Sequence, residues 1–371
     1  MTLKSDTKAG SKATDFEVVN RSYNIVIAPL NWGLGHATRC IPIIRFLLEN
    51  NVNPILASDG PSLELLRKEF PQLEYIELPS YEVRYSQKGA FLRYKLLFQF
   101  PYLLYNAFRE YQLLKILVLE RKIDGVISDN RFGMFHKKVP SVYITHQLQV
   151  LSGATTFFSS WVHRWCIRNF KECWVPDSKG PQSLSGVLSS NTNLGVPLRY
   201  LGNLSRFSYI SNSYSYKYLF ILSGPEPQRS LLEALVLREL SACTDAVLIV
   251  RGTYKKSILT PTNKYIQTVD IMYSRELEKA ISKAEYVICR SGYSSIMDLA
   301  ALQKKVFFIP TPGQYEQLYL AAYLQKKGIA GFCNQDDFRY ANLSTYFQYS
   351  GFLSNYSTVL RKDLLDFVSE K

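Results

Sequence analysis

CRSGYSSIMDLAALQKKVFFIPTPGQYEQ, residues 289–317, decides how this chain is read. The apolar run Tyr286-Val287-Ile288-Cys289 has strand character and stops at Arg290-Ser291-Gly292. Ser294 and Ser295 then open a segment whose apolar positions, Ile296, Leu299 and Ala300, recur at helical spacing. Val306-Phe307-Phe308-Ile309 is a second strand, closed by Pro310-Thr311-Pro312-Gly313, and another helix begins near Tyr315. This alternation is the rhythm of a parallel sheet. Both loops then lie at the carboxyl ends of their strands, where open α/β sheets bind ligands. The first sets a glycine and two serines at a helix start, where unpaired N–H groups and the helix dipole favour phosphate.

This stretch resembles the donor-binding domain of glycosyltransferase family 28, which includes the N-acetylglucosaminyltransferase that completes the lipid-linked peptidoglycan precursor. The resemblance is specific across about 270–330 and thinner elsewhere. It implies that the turn Arg290-Ser291-Gly292, with Ser294 and Ser295, holds a nucleotide-sugar diphosphate. Asp298, six places after the glycine, would take the ribose hydroxyls. Glu316-Gln317 stand where the family has a Gln-Gln-like pair that reads the sugar, so one member of the pair differs. A plain βαβ unit without a ligand is the alternative for this stretch alone.

At 371 residues the chain suits two domains. It is 47% hydrophobic and 20% charged, which describes large globular cores. Its formal charge of +13 implies an anionic partner: nucleic acid, an anionic membrane or a phosphorylated substrate. No dense Lys/Arg block or nucleic-acid module is present, which favours membrane and phosphate. The six cysteines form no Cys-x-x-Cys, and several sit in apolar runs, as buried thiols of a reducing compartment do. Residues 1–21 lack the apolar core of a secretory signal and read as a disordered leader. No run of about 18 apolar residues marks a transmembrane helix.

Residues 22–177 read as a first domain. Asn24–Leu30 is its first strand, and Asn31-Trp32-Gly33-Leu34-Gly35-His36 follows. Gly-x-Gly alone is weak evidence for a dinucleotide site, and Thr38 replaces the third glycine. By resemblance, this loop is the acceptor-domain glycine loop ending in His, with Gly33 and Gly35 close to the donor phosphates. Asp124–Ser128 ends in Asp129-Asn130-Arg131, and Val142-Tyr143-Ile144 ends in Thr145-His146-Gln147. His36, Asp129, Arg131 and His146 should therefore share one sheet edge as base, acid and cation. Each singly could equally be a loop-capping side chain.

Between those strands, residues 84–122 are basic and aromatic, with Arg93, Lys95, Tyr94, Phe98, Tyr105 and Phe108 among them. Pro101 should divide them into a helical pair. Such a pair can lie in a membrane interface, with Arg93 and Lys95 on anionic lipid, or simply face the sheet. Residues 178–203 are rich in Ser, Gly, Asn and Pro and read as an interdomain connection. The second domain, 204–350, opens with the strand Tyr218–Leu222. Ser223-Gly224 and Met272 follow its strands, by resemblance near the diphosphate and the uracil ring, and Arg251 or Arg290 is the cation expected to meet the leaving-group charge. A final helix, about 357–369 within 351–371, is expected to pack back on the first domain.

The expected fold is α/β with GT-B architecture, two Rossmann-like domains facing across a cleft. The resemblance implies an inverting transfer of a hexosyl group, N-acetylglucosamine in the family's named member, from a UDP-sugar to an acceptor hydroxyl, lipid-linked in that member. His36 is the first choice as base, with Asp129 or His146 open as alternatives. No Asp-x-Asp follows a strand, so transfer without metal is expected, with the UDP-sugar as co-substrate and no cofactor. The location expected is cytoplasmic, peripheral on the inner membrane face. A UDP-N-acetylglucosamine 2-epimerase or a non-catalytic nucleotide-sugar-binding protein at a membrane are the competing readings.

Overall fold

The computed structural model describes residues 22–81, 92–150, 156–190, 193–211, 213–253, 261, 263–353, 356 and 358–369, side chains at 92–100, 156–159, 346 and 369 excepted. The first domain contains β1 (Asn24–Pro29), α1 (Gly35–Glu49), β2 (Asn53–Ser58), α2 (Gly60–Glu69), β3 (Tyr75–Glu77) and α3 (Leu92–Glu120). It continues with β4 (Gly125–Asp129), β5 (Ser141–Ile144), α4 (Thr156–Ile167), β6 (Glu172–Val175) and β7 (Leu198–Tyr200). These strands form one sheet in the order β3-β2-β1-β4-β5-β6-β7. The second domain contains β8 (Tyr216–Ile221), α5 (Gln228–Glu239), β9 (Val247–Val250), β10 (Ile266–Val269), α6 (Ser274–Ser282) and β11 (Ala284–Cys289). It is completed by α7 (Tyr293–Ala301), β12 (Lys305–Phe308), α8 (Tyr315–Lys326), β13 (Gly331–Phe332) and the short α9 (Leu343–Tyr346). Its sheet runs β10-β9-β8-β11-β12-β13.

Every pairing between named strands is parallel. The central strands β1, β4 and β9 are buried almost throughout, as strands covered on both faces must be. In each sheet the strand order reverses once, between β1 and β4 and between β8 and β11. Loops leave in opposite directions at such a switch and open a crevice. The architecture is that of two Rossmann-like α/β domains.

Three expectations are corrected. Residues 198–200 were read as part of a connection but pair with β6 as the last strand of the first sheet. The preceding serines are not linker either: Ser183, Ser185 and Ser189 all donate their hydroxyls to the Asp177 carboxylate. Leu184, Leu188, Leu201, Leu204 and Phe207 join an apolar cluster that runs from Ile27 and Ile41 to Val287 and Ile296, so the two domains share core.

The expected helical pair is one helix of 29 residues, α3, passing through Pro101. A proline inside a helix removes one hydrogen bond and costs roughly 3 kcal/mol. Beyond it α3 is anchored by Glu110 and by Tyr102, whose hydroxyl donates to Ser80 O at 3.4 Å. Residues 82–91, including Arg84 and Lys88, lie outside the described residues.

The chain's end returns to the first domain as a 3₁₀ turn, Lys362–Leu365, and one turn of helix, α10 (Asp366–Ser369), rather than a helix from 357. Phe367 packs edge-on to Trp174, ring centroids 5.5 Å apart.

Candidate active site

β1 and β4 are adjacent and in register, Pro29 beside Asp129, and β5 follows with Ile144 beside Asp129. The loops that leave these strands therefore bring His36, Asp129 and His146 to one edge. His36 is the second residue of α1, and its Nδ1 lies 2.8 Å from Asp129 Oδ1. Arg39 follows one turn later on the same helix face. Its Nε and Nη2 both donate to the Asp129 carboxylate, and Nη1 lies 3.2 Å from His146 Nδ1.

Asp129 has no exposed surface. Burial works to raise its carboxyl, but Arg39 and His36 hold it down at about 2. An ionised carboxylate only accepts, so the His36 proton sits on Nδ1 and Nε2 is left bare on a ring that lines the cleft. Burial lowers the pKa of His36 below its ordinary 6.5, with Arg39 and His146 adding and Asp129 opposing.

In the second domain, β11 ends at Cys289 and α7 opens with Gly292 at its N-cap, without a side-chain cap. The first-turn N–H groups of α7 thus face the cleft beside Ser294 and Ser295. Ser294 Oγ donates to Gly35 O at 2.9 Å, so the starts of α1 and α7 touch. A Cβ on Gly35 would meet Ser294 Oγ at 2.7 Å, which is why a glycine stands there. Across the same gap, Glu316 at the start of α8 accepts from His146 Nε2 at 2.8 Å and from Gln147. His146 also stacks on Tyr293, ring centroids 4.1 Å apart. Lys68 on α2 donates to the Tyr273 hydroxyl.

The cleft between the domains has a volume of about 1070 Å³. Of the residues singled out in the sequence, Gly33, Gly35, His36, His146, Ser223, Gly224, Met272, Gly292, Ser294, Ser295, Asp298, Glu316 and Gln317 line it. Asp298 is engaged already: it accepts from Ser205 Oγ at 2.7 Å and pairs with Arg206 at 3.4 Å. Burial raises its carboxyl, and Arg206 opposes that.

Five residues stand elsewhere. Asp129 sits behind His36 rather than in the cleft, and is its partner instead of an independent base. Arg131 is fully buried, bonded to Asp59, Glu110 and Pro29 O, and does not reach a phosphate. Arg290 is buried and donates to Ile309 O, Pro310 O and Gln335, holding the loop from beneath. Ser291 Oγ donates to Gln317 O, and Arg251 pairs with Glu233 and Asp270. The side chains of Arg93 and Lys95 lie outside the described ones.

Arg39, Arg206, Gln147 and Tyr293 line the cleft and were missed. Arg39 carried a signal, a cation one helical turn after His36 and directly before the apolar run Cys40–Ile44. Arg206 carried none, because only the packing of the connecting segment brings it in.

Residues 218–348 match the family model of the glycosyltransferase family 28 C-terminal domain. Over 176 residues the chain is 24% identical to the UDP-N-acetylglucosamine--N-acetylmuramyl-(pentapeptide) pyrophosphoryl-undecaprenol N-acetylglucosamine transferase of Haemophilus ducreyi, covering 45% of this chain and 50% of that protein. It is 27% identical over 113 residues to the protein of the same name from Nocardia farcinica, 30% of each chain. The match thus spans half the length or less of these relatives. Among solved structures, the spinosyn rhamnosyltransferase SpnG complexed with thymidine diphosphate superposes with a TM-score of 0.64 at 17% identity, over 95% of this chain and 100% of that one. MurG of Acinetobacter baumannii superposes with a TM-score of 0.54 at 13% identity, over 95% and 100%. The molecule therefore has the two-domain GT-B fold, and its second domain matches the C-terminal domain of glycosyltransferase family 28.

Proposed function

We propose that the protein is an inverting hexosyltransferase that uses a UDP-sugar, without metal, to glycosylate a lipid-linked hydroxyl at a membrane surface. The observation that carries this reading is His36, backed by ionised Asp129, placed opposite the uncapped start of α7. In the reaction, His36 Nε2 takes the acceptor hydroxyl proton and that oxygen bonds the anomeric carbon. The bond from this carbon to the diphosphate breaks, and its electron pair leaves with UDP. A single displacement of this kind inverts the centre. N–H groups of α7 and of the Ser223-Gly224 turn, with Arg206 nearby, meet the charge on the leaving diphosphate.

Support for the membrane comes from the outer faces of two first-domain helices. Tyr102, Tyr105 and Phe108 on α3 and Trp161 and Trp165 on α4 are exposed, with Arg109 and Lys115 beside the α3 rings. No helix among the described residues is long and apolar enough to cross a membrane.

The test is UDP release from a panel of UDP-sugars, first alone and then with membrane lipid extract. Release only with lipid supports the reading. An epimerised sugar formed without lipid, or tight binding with no turnover under either condition, would overturn it.

A further inference from the structure

The guanidinium of Arg39 meets three groups at once, and two of them are imidazoles. An arginine stays charged and only donates. His146 Nδ1, 3.2 Å from Arg39 Nη1, must therefore accept, which puts the His146 proton on Nε2. That proton points across the cleft to Glu316 Oε1, at 2.8 Å. His36 is in the opposite state. Its Nδ1 lies 2.8 Å from Asp129 Oδ1 and 2.9 Å from Arg39 Nη2. A bare Nδ1 would set a lone pair against a carboxylate. Arg39 Nη2, moreover, is nearer to Asp129 Oδ1 than to the ring. Nδ1–H and Nη2–H thus converge on the same oxygen.

We infer that Arg39 is a positioning residue that fixes the two cleft histidines in opposite tautomers, His36 with a bare Nε2 and His146 with Nε2–H. The inference rests on the transferase reading above and divides the labour within it. His36 is the ring that can take a proton. His146 can only donate, to Glu316 in this structure and to a donor oxygen once a sugar displaces that carboxylate. Of the three candidate bases in the sequence, the arginine leaves one.

The charged and titratable groups that face His36 are Arg39 from α1, Asp129 from β4, His146 after β5 and, across the gap, Glu316 from α8. Cys40 also donates to Asp129 Oδ2, at 3.7 Å. Arg39 opposes a charge on His36 while it offsets the charge of Asp129. Its loss therefore lets the imidazolium form at higher pH.

The chain has four histidines, at 36, 136, 146 and 163, so each ring is assignable in ¹⁵N-histidine NMR spectra of the whole, ligand-free protein by single substitution. The wild-type spectrum near neutral pH should show His36 protonated at Nδ1 and His146 at Nε2. Arg39→Lys keeps a charge but loses the fork, so His146 should pass to a mixture of tautomers. In this variant kcat should fall about 10-fold or more, with the KM for the UDP-sugar within about twofold. Arg39→Met should in addition move the acid limb of the rate profile to higher pH.

His36 protonated at Nε2 in the wild type would overturn the inference. So would Arg39→Lys with both tautomers unchanged, whatever its turnover, because the loss would then be merely structural. Should either variant fail to fold, the wild-type spectrum still decides. That spectrum needs no substrate, so a failure of the transferase reading shows separately, as absent UDP release.

Discussion

Burial of the His36 ring works against a positive charge there, Arg39 and His146 add to that effect, and Asp129 opposes it. The base is therefore ready above a pKa that lies under 6.5, and the rate should fall only as pH drops through that lowered value. His36→Ala should reduce kcat about 10²–10⁴-fold with little change in donor affinity, measured by calorimetry with UDP. Near-normal turnover in this variant would remove His36 from the chemistry. His163 gives a contrasting case. Its ring is buried between Phe132 and Tyr143, and Nδ1 has no hydrogen-bond partner among the described residues. Burial lowers its pKa from 6.5 to about 4. The neutral ring favours the fold fully above 6.5, and stability drains away as pH falls from 6.5 toward 4, by about 3 kcal/mol in all. His163→Phe should flatten that acid loss in urea melts; equal slopes for both proteins would refute it. Both histidines were present in the sequence, but only His36 was legible there, because a residue at a strand–loop–helix junction announces its place. Asp129 was legible as a neighbour at the same sheet edge, but not that Arg39, one turn along α1, would clamp it against the His36 ring.

α3 shows what periodicity can and cannot say. Its inner stripe, Asn106, Glu110, Leu114 and Leu117, recurs every three or four residues and is buried, while Tyr105, Phe108, Lys115, Ile116 and Leu119 stay outside. The stripe is half polar because Glu110 meets Arg131 and the Tyr81 hydroxyl in the interior. Gly133 permits this seat, since a Cβ there would overlap the Ala107 carbonyl. A proline rule applied to sequence alone cut this helix at 101, where tertiary anchoring overrode local preference. The outward rings belong to a prediction at this scale. Anionic vesicles should bind the protein at low salt and neutral phosphatidylcholine vesicles much less, each exposed Lys or Arg contributing about 1 kcal/mol. Trp161→Ser with Trp165→Ser should weaken that binding about tenfold or more, through lost apolar burial at the headgroups. Indifference of the wild type to anionic vesicles would leave these rings as ordinary surface and favour a soluble acceptor.

At the scale of the molecule, two sheets with one reversal each put their crevices face to face, and the apolar cluster between them is continuous. The βα rhythm made the two-domain plan legible. The shared core was not, because Ser-rich composition reads as linker until Asp177 is seen gathering the hydroxyls. The point where α1 meets α7 has a mechanical consequence. With Ser294 against Gly35, the clearance between the halves is set by a missing methyl group, so residue 35 works as a feeler gauge for closure. Gly35→Val should wedge the halves apart, raising the radius of gyration in small-angle scattering. Turnover should fall while UDP still binds the second half with its original affinity. Trimming the opposing jaw, Ser294→Gly, should partly restore both the scattering profile and the rate in the same chain. If the wedge leaves the profile unchanged, the halves close on some other stop, and the gauge is set elsewhere.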